Sequence, residues 1–263
     1  MAMRSTPWEQ RFRAVWRREQ RFLEQYQEPA ERLLDQKAAE IAPEKLMETL
    51  SAAFEKAVSL VLERGSGVIL RGKGQSRRRE TYQINAYAAD LRETRKNLRA
   101  FSRAAERGGV GSQLLSGAAG IGMGALGVAL PDIPLLTAML LKCVYETAES
   151  FGFSCEEELE KLYALRVLEA SLSQGEALLE RNRVLETFAQ TGVWPEAVSM
   201  REQIRATARQ LSEAALWSKA LQSVPLVGAV GGARNWSCLG RVRRYAAIKY
   251  EKRFLLRRRL EKH

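Results

Sequence analysis

Apolar positions recur at helical spacing along almost the whole chain. Near the start, Trp8, Phe12, Val15, Trp16, Phe22, Leu23 and Tyr26 form a stripe beside Arg11, Arg13, Arg17, Arg18 and Arg21. That is the arrangement of an aromatic-faced helix whose arginines can snorkel, and it suits either docking on the rest of the protein or lying in a membrane interface. From Pro43 to Glu63, Leu46, Met47, Leu50, Phe54, Val58 and Leu62 share one face, and Gly65 closes the run. Gly65 to Arg79, with four glycines and three successive arginines, predicts a loop or a short β-hairpin around Val68-Ile69-Leu70. Ile84 to Arg107 predicts one helix with Tyr87, Leu91, Leu98 and Phe101 inward. Helical patterns continue over Leu159 to Ala170, Gly175 to Gln190 and Ala197 to Gln222, broken at Gly192-Val193-Trp194-Pro195. Before the first of these, Ser154 is placed as an N-cap, with Glu156, Glu157, Glu158 and Glu160 in the opening turn. A last helix sets Tyr245, Ile248, Phe254 and Leu255 among arginines and lysines and repeats the theme of the first. The periodicity predicts an all-α fold.

One segment departs from amphipathic patterning. Gly108 to Leu141 carries a single charged residue, Asp132, and eight of the twenty residues from Gly108 to Gly127 are glycine. A glycine inside a helix costs roughly 1 kcal/mol relative to alanine, so Gly117, Gly120, Gly124 and Gly127 call for a close approach between backbones. Pro131, Asp132 and Pro134 forbid one continuous helix and predict a hairpin, with Asp132 capping a second helix that begins near Ile133 and stops before Gly152. Gly108 to Pro131 is long enough to span a bilayer, which takes about 20 residues, yet lacks the dense Leu, Ile, Val and Phe of a lone span. A buried core hairpin and a membrane-inserting hairpin both remain open. Val224 to Ala233 repeats the glycine density after a proline and is expected to pack against the first segment.

Charge sharpens the picture. The net charge of +11 is concentrated in two stretches: twelve Lys and Arg against four acids over Arg64 to Arg107, and ten against two over Gly240 to His263. Such clusters suit anionic lipid headgroups or phosphodiester backbones. Cys143, Cys155 and Cys238 lack any CxxC spacing and read as reduced core fillers, and no secretory h-region is visible at the N-terminus. The sole histidine is His263, which removes histidine-based acid–base, nucleophilic and metal chemistry. Two glycine motifs are decoys. Gly67 to Gly74 fits GxxxxGK but puts Gly74 where a metal-binding Ser or Thr belongs, and Gly122 to Gly127 fits GxGxxG inside an apolar helical run with no strand before it.

Three stretches together resemble the EcsC family of bacterial proteins, named for a gene that accompanies an ABC-transporter pair. They are Gly117 to Gly127 followed by Leu130-Pro131-Asp132-Ile133-Pro134, the helix end Glu149-Ser150-Phe151-Gly152-Phe153, and Val224-Pro225-Leu226-Val227-Gly228 with Asn235 and a downstream basic helix. The resemblance covers roughly residues 40 to 260; it implies a fold and a membrane-associated setting, and brings no catalytic residues with it.

The expectation is therefore a non-enzymatic, all-α protein with an N-terminal aromatic and basic extension over residues 1–40 and an EcsC-like domain over 41–263. It needs no cofactor or metal and sits in the cytoplasm, peripheral to the inner face of the membrane. Trp8, Phe12, Trp16, Arg17, Arg241, Arg244, Arg257, Arg258 and Arg259 are the expected lipid contacts, with Gly117, Gly120, Gly124, Gly127, Pro131, Asp132 and Pro134 forming the apolar hairpin. Its expected partners are an anionic membrane surface or lipid and a membrane protein such as a transporter. The alternative is a nucleic-acid-binding module on the same basic surfaces, which carries no recognised motif of that kind.

Overall fold

The computed structural model describes residues 5–27, 44–63, 73–107, 133–222 and 238–261. Over these residues every regular element is an α-helix: α1 (Pro7–Gln27), α2 (Glu44–Glu63), α3 (Lys73–Leu91), α4 (Arg95–Arg107), α5 (Ile133–Ser150), α6 (Glu158–Leu172), α7 (Gly175–Thr191), α8 (Met200–Gln222) and α9 (Cys238–Leu260). The fold is all-α, as the periodicity predicts. Gly117, Gly120, Gly124, Gly127, Pro131 and Asp132 lie outside the described residues, as do Val68 to Leu70 and the second small-residue segment. The second arm of the expected hairpin is α5, which starts at Ile133 and carries Pro134 in its first turn, where a missing N–H costs nothing.

Among the described residues the centre is held by α5, α6 and α9, which pack on one another. Leu141, Val144 and Ala148 of α5, Tyr163, Leu165 and Leu168 of α6, and Val242, Tyr245, Tyr250 and Phe254 of α9 are all buried. Around them α2 and α8 pair with each other, α3 lies on α4 and α5, and α7 lies on α1, α6 and α9. Helix α1, expected as part of an extension apart from the 41–263 domain, rests on α9, α7 and α4, and its Val15, Phe22, Leu23 and Tyr26 belong to the common core.

Local chemistry sets the helix ends. Thr6 and Glu9 form a capping box at α1, with Pro7 in the first helical position; Ser199 and Glu202 form another at α8. The predicted helix over Ile84 to Arg107 is instead two. Thr94 Oγ1 accepts the Asn97 N–H at 3.1 Å and starts α4, while the Asn97 amide donates to the carbonyls of Ala88 and Arg92 at 2.9 Å and closes α3. Across that break Leu98 and Phe101 point inward as expected, whereas Tyr87 and Leu91 are exposed. Helix α3 begins at Lys73, inside the expected loop, because Gln75 and Arg78 reach across to the α5 carboxylates. Ser154 is no cap: α6 begins three residues later than that placement implies, with Glu157 at its N-cap. Thr94→Ala is expected to cost about 1 kcal/mol in chemical denaturation, the usual loss for an N-cap; a change of only a few tenths would mean the α3–α4 turn is held by packing alone.

Candidate functional site

The last helix is where charge and core meet. Apolar side chains on α9 sit on every face, which is the signature of a buried helix. Its cations must then find carboxylates. Lys249 is fully buried and Lys252 nearly so; both ammoniums bind Glu19 of α1 and Glu186 of α7. Lys249 Nζ lies 2.8 Å from Glu19 Oε1 and 3.1 Å from Asn182 Oδ1, which also accepts the Tyr245 hydroxyl at 2.8 Å. Two lysines and two glutamates close a box with no net charge, which is the condition for holding four ions away from water. On the adjacent turn Glu251 of α9, 1% exposed, accepts from Arg11 and Arg18 of α1, and Arg11 also donates to Ser102 of α4 at 2.6 Å.

Burial alone would raise the Glu19 carboxyl, but the ammoniums of Lys249 and Lys252 outweigh it and hold the group at about 2. Burial would lower Lys249, and the carboxylates of Glu19 and Glu186 reverse that and raise it. Both groups are locked in their charged forms near neutrality. They hold helices together rather than exchange protons.

The same pattern repeats around α9. Arg253 makes two bonds to Glu160, the shorter at 2.7 Å, and its guanidinium lies 4.3 Å from the ring centres of Phe153 and Tyr163. Arg258 Nη2 meets Asp90 at 2.7 Å. Arg257 stacks on Phe153 at 4.3 Å and donates to the Tyr82 hydroxyl and the Phe151 carbonyl. Arg241 donates to the Ser173 carbonyl and lies 3.8 Å above the Tyr26 ring; burial lowers it to about 10. The expectation that α9 offers a basic face to a surface fails for Arg241 and Arg258, which are buried, and for Arg257, which is half-buried. Arg244 and Arg259 remain exposed, Arg244 bonded to Tyr26 and Arg259 over Trp8.

Helix α1 divides its predicted contacts. Trp8 is docked: its indole N–H donates to the Leu255 carbonyl at 2.8 Å and its ring stacks on Phe12 at 4.8 Å. Trp16 is half exposed and Arg17 is exposed. Arg13, Arg17 and Arg21 lie one turn apart on the outer side of α1. Helix α4, packed against α1, presents Lys96, Arg99 and Arg107 outward, with Arg103 between them. Among the described residues none of these seven side chains has a hydrogen bond or an ion pair. Sequence reading missed the α4 set as a site and missed every carboxylate partner of α9.

Among the described residues no three His, Cys, Asp or Glu side chains gather as a metal site would need. The thiols are free, and burial pushes all three up, Cys143 to about 12, so they stay protonated. No helix of the described residues is long and apolar enough to cross a membrane.

A description of the EcsC protein family matches residues 9–255, nearly the whole chain and starting within α1. The chain belongs to the EcsC protein family. Two proteins of Bacillus subtilis (strain 168) are similar to this EcsC-family chain. Protein EcsC is 25% identical over 222 residues, covering 83% of either chain. Uncharacterized protein YdbA is 25% identical over 140 residues, 52% of this chain and 51% of its own. No solved structure matches. The helix end at Glu149 to Phe153, one of the three stretches carrying the resemblance, has a physical basis. The Phe153 N–H bonds to the Ala148 carbonyl and the Gly152 N–H to that of Glu149, with Gly152 in the left-handed region at φ +77°.

Proposed function

We propose that this EcsC-family protein is a non-enzymatic peripheral membrane protein that binds anionic lipid surfaces through the outer faces of α1 and α4. The observation that carries this reading is the sorting of the cations. On α9, Lys249 and Lys252 are neutralised by Glu19 and Glu186, Arg253 by Glu160 and Arg258 by Asp90. Arg13, Arg17 and Arg21 of α1 and Lys96, Arg99, Arg103 and Arg107 of α4 have no counter-ion among the described residues and lie on two helices in contact, whereas Arg11 and Arg18 of α1 are paired to Glu251. Unpaired surface arginines repel one another, and the arrangement becomes favourable beside a surface of opposite sign. Each basic residue held near an anionic leaflet contributes about 1 kcal/mol. Trp16, half exposed beside Arg13 and Arg17, supplies an aromatic group suited to the headgroup region.

Flotation with mixed phosphatidylcholine–phosphatidylserine vesicles tests the reading. Binding is expected at low salt and to weaken as salt rises, since exposed charges are screened within about 10 Å at 0.1 M. Arg13→Glu, Arg17→Glu and Arg21→Glu together are expected to lower the affinity about a hundredfold or more. Equal binding to pure phosphatidylcholine vesicles, or tighter binding to duplex DNA than to any vesicle, would contradict it.

A further inference from the structure

Helix α3 carries an apolar line that the fold does not use. Its inward side chains are Tyr82, Ala86 and Ala89, which pack against the core. On the opposite side Ile84, Tyr87 and Leu91 are 61%, 67% and 70% exposed. Their spacing of three and four residues puts them in one row along the helix. Among the described residues no other helix carries more than one exposed large apolar side chain.

The Leu91 end of that row is basic. Leu91 is followed by Arg92, and α4, which packs on α3, begins with Arg95 and Lys96 and continues to Arg99; all four are exposed. Of the acids on α3, Asp90 is held by Arg258 at 2.7 Å, and Glu80 stands exposed one turn before Ile84, at the end of the row away from Arg92.

Resting on the reading that the protein binds anionic membranes, we propose that the Ile84, Tyr87 and Leu91 row of α3 is the part that enters the bilayer interface. Arg92, Arg95, Lys96 and Arg99 then hold the anionic headgroups beside it. Two arguments favour a lipid surface over a protein partner. A stable protein interface needs about 1,000 Å² or more, and one row of three side chains offers far less. A bilayer asks only for a few apolar groups set at a uniform depth with cations alongside. Tyrosine in the middle of the row suits that depth, with an apolar ring and a hydroxyl that stays wet. The row gives the attachment a part that salt does not screen.

The test uses the full chain with Cys238→Ser, a Tyr87→Cys substitution and an environment-sensitive fluorophore on the new thiol, since Cys143 and Cys155 are buried. A second protein carries the same dye through Arg201→Cys, at the exposed start of α8. Adding mixed phosphatidylcholine–phosphatidylserine vesicles should blue-shift the dye at position 87 and leave that at 201 unchanged. Without dye, Ile84→Glu with Leu91→Glu should lower vesicle affinity about tenfold or more while leaving the melting temperature unchanged, because neither side chain is packed. Vesicle binding with no shift at position 87, or a double variant that binds as the parent does, overturns the role of α3 and leaves the α1 and α4 attachment standing. Absence of vesicle binding overturns both.

Discussion

Replacing Glu19 with Ala is expected to destabilise the protein by about 3–5 kcal/mol, the usual cost of leaving a buried ion without its partner. The carboxylate is 1% exposed and serves two ammoniums, so its loss leaves Lys249 and Lys252 with Glu186 alone. Removing Lys252 as well, as Glu19→Gln with Lys252→Met, restores charge balance and should cost clearly less than the two single changes added. The effect depends on pH in a defined direction. Glu19 is held at about 2 against 4.5 for the free group, so its stabilising contribution is fully present above about 4.5 and is lost as pH falls from there through 2. That shift corresponds to about 3 kcal/mol. Urea unfolding at neutral pH should therefore separate parent from Glu19→Ala widely, and the gap should close as pH falls toward 2. A neutral-pH gap under about 1 kcal/mol would show that water or rearrangement replaces the carboxylate.

A second large effect is expected at the end of α5. Gly152 has φ +77°, and a Cβ there would lie 2.2 Å from Cζ of the Tyr82 ring. Tyr82 cannot swing away cheaply, since its ring packs on Phe101 and Phe254 and its hydroxyl accepts from Arg257. Gly152→Ala should cost about 2–5 kcal/mol, combining left-handed strain with overpacking. Gly192 is the matched control. It ends α7 at φ +72° with open space around it, so Gly192→Ala should cost only the strain, about 1–2 kcal/mol. Equal losses at the two positions, read by chemical denaturation, would mean that the ring and the glycine do not constrain each other.

What was legible in the sequence was what is local. The boundaries of α5 and α7 follow from a proline in the first turn and a C-terminal Gly192, both acting within a few residues, whereas α8 starts at Met200, three residues after the expected Ala197, where Ser199 and Glu202 cap it. The break at Thr94 carried a readable signal too, a cap residue before Leu98, but continuing the stripe from Tyr87 through Leu91 to Leu98 hid it. That error turned an exposed row into an expected core. The larger error was α9. Its arginines and lysines look like a surface because their counter-ions are remote: Glu19 is 230 residues from Lys249 and Glu160 is 93 from Arg253. Only the spread of apolar residues to every face, Val242, Tyr245, Ile248, Tyr250 and Phe254 among them, could have given its burial away. Of the candidate lipid contacts, Arg17 and Trp16 are exposed, while Trp8 and Phe12 are tied to the fold.

The claim that attachment follows the α1 and α4 faces rather than net charge is tested most directly by two variants of equal charge. One carries Arg99→Glu, Arg103→Glu and Arg107→Glu on α4. The other carries Lys45→Glu and Lys56→Glu on α2 with Arg201→Glu on α8, all exposed and on helices that pack chiefly on each other, α5 and α6. Flotation on phosphatidylserine-containing vesicles at fixed salt should show the first variant losing most of its binding and the second keeping nearly all of it. Equal loss in both, or no loss in either, would contradict the account.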